Sequence, residues 1–348
     1  MIASVLTKYL KKVKEFANEK SSYELCKNVK IKGTEKQITY WCCDGDSGIK
    51  QISLNNHGSP LLGEFCVDVF KFYTIISSMP KDVDIKFNLN TDNYRLNVKT
   101  DLHKFTIVAD SPDKVYQMKD HNNWNNVEQV FFDRLKSVVP LCLVENYPIV
   151  FDGNLIYYAS PHEVVYVPLN SNLPNFKINL KVAPKIFVDT FDKMDANENH
   201  IFFSNDNCEI YIPQTNSKSA IIKPISDKVN EFHKIIAEIN TSELNSIFNI
   251  IQSLHKKSDV DVRSVEMIFD KNTLKLIYLQ SAEFLVGDVK FNNEDSISIK
   301  IPFDHLGVIT STEFTKNTPY IEILLAKNNQ MFVARKSPQL TFVGGLSK

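Results

Sequence analysis

Hydrophobic and polar positions follow the same order three times along this chain. Each copy opens with a stretch in which apolar residues recur every three or four positions, which predicts an amphipathic helix, and continues with strands of alternating apolar and polar residues. A strand, a second short helix and three more strands complete each copy, over residues 65–110, 176–225 and 297–345. Identity between the copies is slight, so the repeated pattern predicts three related domains.

The three opening helices each present one apolar face. The residues expected to point inward are Val5, Leu6, Tyr9, Leu10, Val13 and Phe16, then Val127, Phe131, Leu135 and Val138, then Leu244, Ile247, Phe248, Ile251 and Leu254. Thr241 or Ser242 is expected to cap the third helix. Strands that alternate in this way favour antiparallel sheets with one face covered by helices, so the predicted fold class is α+β.

Length agrees with three domains. The chain has 348 residues, or 116 per copy, which is near the commonest domain size. We place the domains at residues 1–118, 119–232 and 233–348, joined by a polar linker over residues 111–126 and a more apolar joint over residues 225–240. No apolar run reaches the ~20 residues of a membrane span, and the first residues do not resemble a signal peptide, so we expect a cytoplasmic protein without a membrane partner.

Side chains that carry chemistry are scattered. The six cysteines show no metal-ligand spacing, and adjacent Cys42 and Cys43 would point to opposite faces of a strand, which favours reduced thiols. Asp44 and Asp46 favour a turn over a calcium site, because the later ligands are missing. The sequence has no glycine-rich phosphate loop and no nucleophile elbow. We therefore expect no enzyme, no catalytic residues, no metal and no cofactor.

Three segments, at residues 68–110, 155–169 and 339–345, carry a resemblance to the bacterial-type DNA sliding clamp, the beta subunit of DNA polymerase III, and to its phage relatives. The resemblance implies three repeated clamp-type domains, each with two helices packed on antiparallel sheet, forming half of a ring. Two chains would form a homodimer around double-stranded DNA without reading its sequence. The replicative DNA polymerase and the clamp loader would be its partners, in a bacterial cell or a phage-infected bacterium.

Basic residues recur on or beside the polar faces of the predicted helices. The formal net charge of the chain is only -1, so a ring would hold DNA by enclosing it, with positive charge turned toward the phosphates. For any one lysine, a solvated helix face is the alternative. The candidate DNA contacts are Lys8, Lys11, Lys12, Arg134, Lys136, Lys185, Lys193, Lys256 and Lys257.

A hydrophobic pocket for partner peptides is also implied by the resemblance. Its residues would be Phe151 as the floor, with Ser160, His162, Val164, Lys234, Ile235, Thr341 and Val343 around it. Where the family usually has Thr-Asp-Gly-His-Arg-Leu, this chain keeps the histidine but has Pro161 and Glu163 in place of the glycine and the arginine. We expect Glu163 to alter which peptides dock. For Phe151 and Val164, an ordinary core position is the alternative.

Two other classes of protein share most of these features. One is a non-catalytic, beta-rich virion or scaffold protein, and the other is a monomeric clamp-like processivity factor. A ring dimer must instead pair free sheet edges between chains. We expect these edges to be the strand at residues 94–100 or its neighbour, and the strand at residues 283–291 or its neighbour.

Overall fold

The computed structural model describes most of the chain, in two compact units. The described residues are 1–55, 60–117, 119, 121, 123–169, 171–217, 235–256, 263–279, 282–291, 295–316, 318–325, 331–336 and 340–346. Unit 1 comprises Met1–Gln129 and Val182–Gln214, and unit 2 comprises Val130–Lys181 and Thr215–Lys348. Residues 118 and 232, at which the predicted domains end, lie outside the described ranges, so the three-domain division stays a prediction.

The α-helices within the described residues are few and short. They are α1 (Ala3–Lys14), α2 (Val69–Ser77), α3 (Gln129–Val138), α4 (Thr241–His255), α5 (Phe303–Ile309) and α6 (Thr312–Thr315). Short 3-10 helices span Glu24–Cys26, Val139–Leu141 and Ala183–Val188. The last of these stands where the second helix of the middle copy was expected. Pro184 lies in its first turn, and Asp189, which ends it, is fully extended.

Strands make up most of the remaining structure. In the first copy they are β1 (Asn28–Gly33), β2 (Gln37–Cys43), β3 (Gly48–Leu54), β4 (Gly63–Asp68), β5 (Lys86–Asn90), β6 (Arg95–Lys99) and β7 (Lys104–Val108). Next come β8 (Asn125–Asn126), β9 (Pro148–Phe151), β10 (Leu155–Ala159), β11 (Glu163–Pro168), β12 (Phe176–Asn179), β13 (Lys193–Ala196), β14 (His200–Ser204) and β15 (Cys208–Pro213). The last are β16 (Ile235–Asn240), β17 (Ser264–Asp270), β18 (Thr273–Tyr278), β19 (Ala282–Val286), β20 (Val289–Phe291), β21 (Ile297–Pro302), β22 (Tyr320–Leu325), β23 (Met331–Lys336) and β24 (Leu340–Gly345).

Unit 1 contains two antiparallel sheets. The larger has the strand order β4-β1-β2-β3-β15-β14-β13-β8, and the smaller has the order β5-β6-β7. The larger sheet joins the first copy to the second half of the middle copy, because β3 pairs with β15 from Gly48–Tyr211 to Gln51–Cys208. The predicted linker adds β8 to the far edge of this sheet.

Helix α1 covers one face of this sheet as its periodicity predicts. Leu6, Leu10, Val13 and Phe16 are at most 1% exposed, while Tyr9 is half-buried and stacks on Tyr40 of β2. Each fully buried apolar side chain contributes about 1.5–3 kcal/mol, so this face fixes α1 on the sheet. Helix α2 begins at Asp68, whose carboxylate accepts hydrogen bonds from two backbone N–H groups in the first turn.

Unit 2 also contains two antiparallel sheets. Their strand orders are β12-β9-β10-β11-β24-β23-β22-β16-β20 and β19-β18-β17-β21. The larger sheet joins the first half of the middle copy to the second half of the last copy, because β11 pairs with β24. The predicted inward residues of α3 are all buried. The α+β class with antiparallel sheets is thereby confirmed.

Helix α4 differs from the prediction in its cap and in one part of its apolar face. Asn240 is the cap, because its side-chain oxygen accepts from the N–H groups of Ser242 and Glu243 at 2.9 and 3.2 Å. Thr241 is already helical, and its hydroxyl bonds to backbone carbonyls instead. Leu244 and Ile251 are buried as expected, but Leu254 is 40% exposed. Part of the apolar face of α4 is therefore not covered by the rest of the described unit 2.

Candidate nucleic-acid interface and partner pocket

The basic residues of α1 divide into exposed and bonded side chains. Lys8 and Lys11 are exposed on the polar face of the helix. The ammonium group of Lys12 lies 2.5 Å from a carboxylate oxygen of Asp189, and the two side chains are only 21% and 24% exposed. Lys8 and Lys11 are thus available to an anionic partner, whereas Lys12 holds α1 against the segment after the 3-10 helix.

Lys185 is bonded in a similar way. Its ammonium group lies 2.6 Å from Asp44 Oδ2 and 5.1 Å from the centre of the Phe16 ring. The other oxygen of Asp44 accepts from the backbone N–H groups of Asp46 and Ser47, which confirms the predicted turn. Lys193 lies on β13 in the sheet. Lys185 thus lies on a 3-10 helix with its charge paired, whereas Lys193 does not lie on a helix.

A cleft of about 700 Å³ in unit 2 collects several basic side chains. Arg134 and Lys136 come from α3, and Lys316 and Lys336 come from the last copy. Its other lining residues are Val130, Asp133, Ser137, Glu313, Thr318 and Leu340. Arg134, Lys136 and Lys316 form no ion pair with any residue that the structure describes. Its four basic side chains outnumber the two acidic ones, Asp133 and Glu313, so the cleft has net positive charge.

Lys336 has a structural bond in this cleft. It donates to the backbone carbonyl of Glu313 at 2.9 Å and also to that of Lys316, at the end of α6. Partial burial lowers the pKa of Lys336, while the Glu313 carboxylate opposes this shift and the Lys316 ammonium group adds to it. Lys316 and Lys336 were not predicted from the sequence, because they do not recur on an opening helix. Of the two remaining candidates, Lys256 is exposed after α4, and Lys257 lies outside the described residues.

Three predicted pocket residues meet on one face of the larger sheet of unit 2. Val164 on β11 is paired with Val343 on β24, and Thr341 is paired with Tyr166 two positions along. These valines belong to an apolar cluster that also contains Val150, Tyr157 and Tyr166. Val164 is 5% exposed and Val343 is fully buried, so these two members of the cluster have little surface exposed to solvent.

Phe151 lies on the opposite face of this sheet. Its ring contacts those of Phe131 and Phe176, at centroid distances of 5.8 and 5.5 Å, on the side covered by α3. Successive strand residues point to opposite faces, so Val150 occupies the face on which Phe151 was expected. The structure therefore does not bring Phe151 together with Val164 and Val343.

Ser160 and His162 lie on the tight turn between β10 and β11. The Ser160 N–H donates to the Glu163 carbonyl at 2.9 Å, and the Gly345 N–H donates to the His162 carbonyl at 3.2 Å. His162 is exposed, so it can meet a partner at the edge of the apolar cluster. Lys234 and the side chain of Ile235 lie outside the described residues.

Glu163 is buried rather than exposed at the surface, and its expected effect on the choice of peptide stays a prediction. Its side chain is 2% exposed, and one carboxylate oxygen accepts from the Leu143 N–H at 3.2 Å. The other oxygen lies 3.7 Å from Nε2 of His305 on α5. Burial raises the pKa of Glu163 and lowers the pKa of His305, so each group resists charging.

Across the described part of the chain, no three His, Cys, Asp or Glu side chains come together as a metal site would need. None of the helices in these ranges has the length and apolarity to cross a membrane.

Comparison with known proteins places this fold. No protein-family model and no curated protein matches the sequence. Solved structures do match over the whole chain: the Helicobacter pylori beta clamp bound to a DNA ligase peptide has 13% identity and a TM-score of 0.83, over 100% of this chain and 99% of that one. A Pseudomonas aeruginosa DNA polymerase sliding clamp has 15% identity and a TM-score of 0.79, over 100% and 98%.

A third match is the beta subunit of the DNA polymerase of Streptococcus pyogenes, with 12% identity and a TM-score of 0.78 over 100% and 99% of the two chains. The chain therefore has the fold of DNA sliding clamps. More particularly, it has the fold of the bacterial DNA polymerase III beta subunit, which confirms the resemblance at the level of fold.

Proposed function

We propose that this protein is a non-catalytic DNA sliding clamp, which encircles duplex DNA as a ring dimer and tethers polymerase to it inside a bacterial cell. The observation that carries the proposal is the rule by which its sheets are joined. At each joint, the third strand after the opening helix of one copy pairs with the third strand after the second helical segment of the next copy.

Two joints of this kind form among the described strands. One strand of each kind, β19 and β7, is left without a partner at its outer edge. The first half of copy 1 joins the second half of copy 2 through β3 and β15, and the first half of copy 2 joins the second half of copy 3 through β11 and β24. Both pairings are antiparallel. The same rule would join β19, from the first half of copy 3, to β7, from the second half of copy 1. A second chain supplies these partners and closes a ring of six copies.

Among the described strands, β7 and β19 are each paired on one side only, and exposed apolar side chains lie where such a joint would cover them. Val108 on β7 is 74% exposed and Leu285 on β19 is 65% exposed. Ile250 and Leu254 on α4 are 50% and 40% exposed. An open, apolar sheet edge invites pairing with another chain. Of the edges expected from the sequence, β6 is excluded, because it already pairs on both sides with β5 and β7.

The dimer is tested by light scattering across a wide range of protein concentration. We expect the mass of two chains for the native protein and of one chain for Leu285→Lys, because a charge on β19 opposes edge pairing. Leu54→Lys is the matched control, since Leu54 is 66% exposed but lies on β3, whose partners are present. A native protein with the mass of one chain would overturn the dimer and favour the monomeric processivity factor.

Enclosure of DNA is tested by topology. A ring that holds DNA by linkage stays on a closed circle and slides off a linear end, whereas a protein held by affinity leaves both at equal rates. The near-neutral charge of the chain supports the first mode. We expect protein loaded by the clamp loader to remain on circular DNA and to be lost when the circle is cut. Equal loss from both would contradict the proposal.

Partner proteins would dock beside the turn that carries His162. His162 is exposed, and β11, which follows this turn, carries Val164 of the apolar cluster beside Val343 on β24. We expect His162→Ala to weaken binding of a polymerase-derived peptide, and Lys8→Glu to bind it normally. Removing the chain from residue 341 is not a clean test, because β24 lies between β11 and β23 within the sheet.

A further inference from the structure

Glu163 is placed behind the proposed docking surface. It is the first residue of β11 and is paired with Gly344 near the end of β24. Val164, the next residue, belongs to the apolar cluster with Val343, so Glu163 must point to the opposite, helix-covered side of the sheet. Its carboxylate is therefore close to the docking surface in sequence but separated from it by the sheet.

The carboxylate of Glu163 connects elements that are remote from each other in sequence. It accepts from the Leu143 N–H in the loop before β9, and it approaches His305 on α5. Tyr158 on β10 lies beside it, and the Tyr158 hydroxyl accepts from the Val144 N–H at 3.0 Å and donates to the Val144 carbonyl at 3.2 Å. One buried side chain thus bonds to a loop and lies against a helix and a neighbouring strand beside the turn.

The same turn is fixed on its other side by backbone bonds. Ser160 N–H donates to the carbonyl of Glu163, and Gly345 N–H donates to the carbonyl of His162. Gly344 has no room for a side chain, since a Cβ there would lie 2.8 Å from Nδ1 of His305. The position of His162 therefore depends on Glu163 and on the end of β24 together.

We propose that Glu163 is a positioning residue, which holds the turn of His162 and the end of β24 in the arrangement that a partner peptide meets and does not touch the peptide itself. The inference rests on the proposed clamp function. The titratable groups that face Glu163 are Tyr158 on β10, His162 on the turn, and Asp304 and His305 on α5. Cys142, which directly precedes Leu143, is a further titratable group near Glu163.

Two substitutions separate positioning from contact. Glu163→Ala removes the acceptor of the Leu143 N–H, and Glu163→Gln keeps one oxygen at that place with nearly the same shape. We expect alanine to weaken binding of a polymerase-derived peptide at least tenfold and glutamine to restore it to within threefold of the native affinity. We also expect faster hydrogen exchange at Leu143 and Gly345 in the alanine variant, measured without peptide.

A matched control excludes a general loss of stability. Tyr320→Phe removes a 2.8 Å hydrogen bond to Asp288 in a separate network of unit 2, and we expect it to leave peptide affinity and exchange at Leu143 unchanged. Native affinity in Glu163→Ala, or equal weakening in both Glu163 variants without faster exchange, would overturn the inference. If the native protein binds no peptide, the proposed docking function fails, and the exchange measurement still decides whether Glu163 holds the turn.

Discussion

The two joints between copies use basic residues in opposite ways. On the helix side of the β3–β15 joint, Lys12 and Lys185 are bonded to Asp189 and Asp44 and are largely buried. On the helix side of the β11–β24 joint, Arg134, Lys136 and Lys316 surround a cleft and form no ion pair among the described residues. Similar basic patterns in sequence therefore provide structure in one place and available charge in the other.

The difference arises from where acidic residues fall. Asp44 sits at the end of β2 and Asp189 at the end of a 3-10 helix, and the fold brings each within 2.6 Å of a lysine from another segment. Removing one member of a half-buried ion pair leaves the other charge without compensation. This costs more than the loss of an exposed pair. We therefore expect substitutions of the basic residues at the first joint to lower the free energy of unfolding. Those at the second joint should weaken DNA binding.

The largest effect is expected from the glycines of the two joints. A Cβ on Gly48 would lie 2.3 Å from the Tyr211 ring, and one on Gly344 would lie 2.8 Å from both His305 and Phe332. We expect alanine at either position to destabilise the protein by about 3 kcal/mol, because buried rings must move. Denaturant unfolding measures this. Gly307→Ala is the control, with ordinary contact at 3.4 Å, and unchanged midpoints at positions 48 and 344 would contradict the tight packing of both joints.

A smaller loss of stability is expected from Lys12→Glu. The substitution places a carboxylate against Asp189 in a half-buried site, which should lower the free energy of unfolding by about 2 kcal/mol. Adding Asp189→Lys restores an opposite pair and should recover most of the loss. If the double variant is no more stable than the single one, the two side chains do not interact as described.

The cleft in unit 2 should affect DNA rather than folding. Changing Arg134, Lys136 and Lys316 together to Glu should alter stability by less than about 0.5 kcal/mol, since these residues hold no ion pair among the described ones. Each lost phosphate contact should reduce the slope of log affinity against log salt by about 0.9. Lys300→Glu, at an exposed position of β21, is the control. An unchanged salt slope in the triple variant would show that these residues do not contact DNA and are only solvated surface charges.

Lys8 and Lys11, the exposed lysines of α1, test whether this helix also contacts DNA. Lys8→Glu with Lys11→Glu should also leave stability intact, and should weaken DNA retention less than the triple variant does because fewer charges change. The measurement is the same salt series. A stronger effect from these two lysines than from the cleft would place the main DNA contact at the first joint.

The smallest effect concerns pH and the second joint. Burial lowers the pKa of His305, so the unfolded chain binds a proton there at pH values where the folded chain does not. The resulting stability is present above the ordinary histidine pKa of about 6.5 and is lost as the pH falls toward the lowered value. We expect the native protein to lose on the order of 1 kcal/mol more than His305→Gln between about pH 7.5 and pH 5.5. Parallel pH profiles would contradict a buried neutral ring.

Local pattern was sufficient for the elements that carry most of the fold. The spacing of Leu6, Leu10, Val13 and Phe16 predicted α1 and its buried face, and that of Phe131, Leu135 and Val138 did the same for α3. Helix and strand periods depend on neighbours a few positions away, which the sequence displays directly. The threefold order of these elements then led to the clamp fold.

Partners that are distant in sequence decided the rest. Whether Lys12 is free depends on Asp189, and whether Glu163 faces a peptide depends on Leu143 and His305. The face taken by Phe151 depends on strand register, in which a shift of one residue exchanges inside for outside. The repeat, the helices and the alternation of the strands follow from spacing along the sequence. Which charges are neutralised and which sheet edges stay open depends on the tertiary structure, because folding alone brings the segments concerned together.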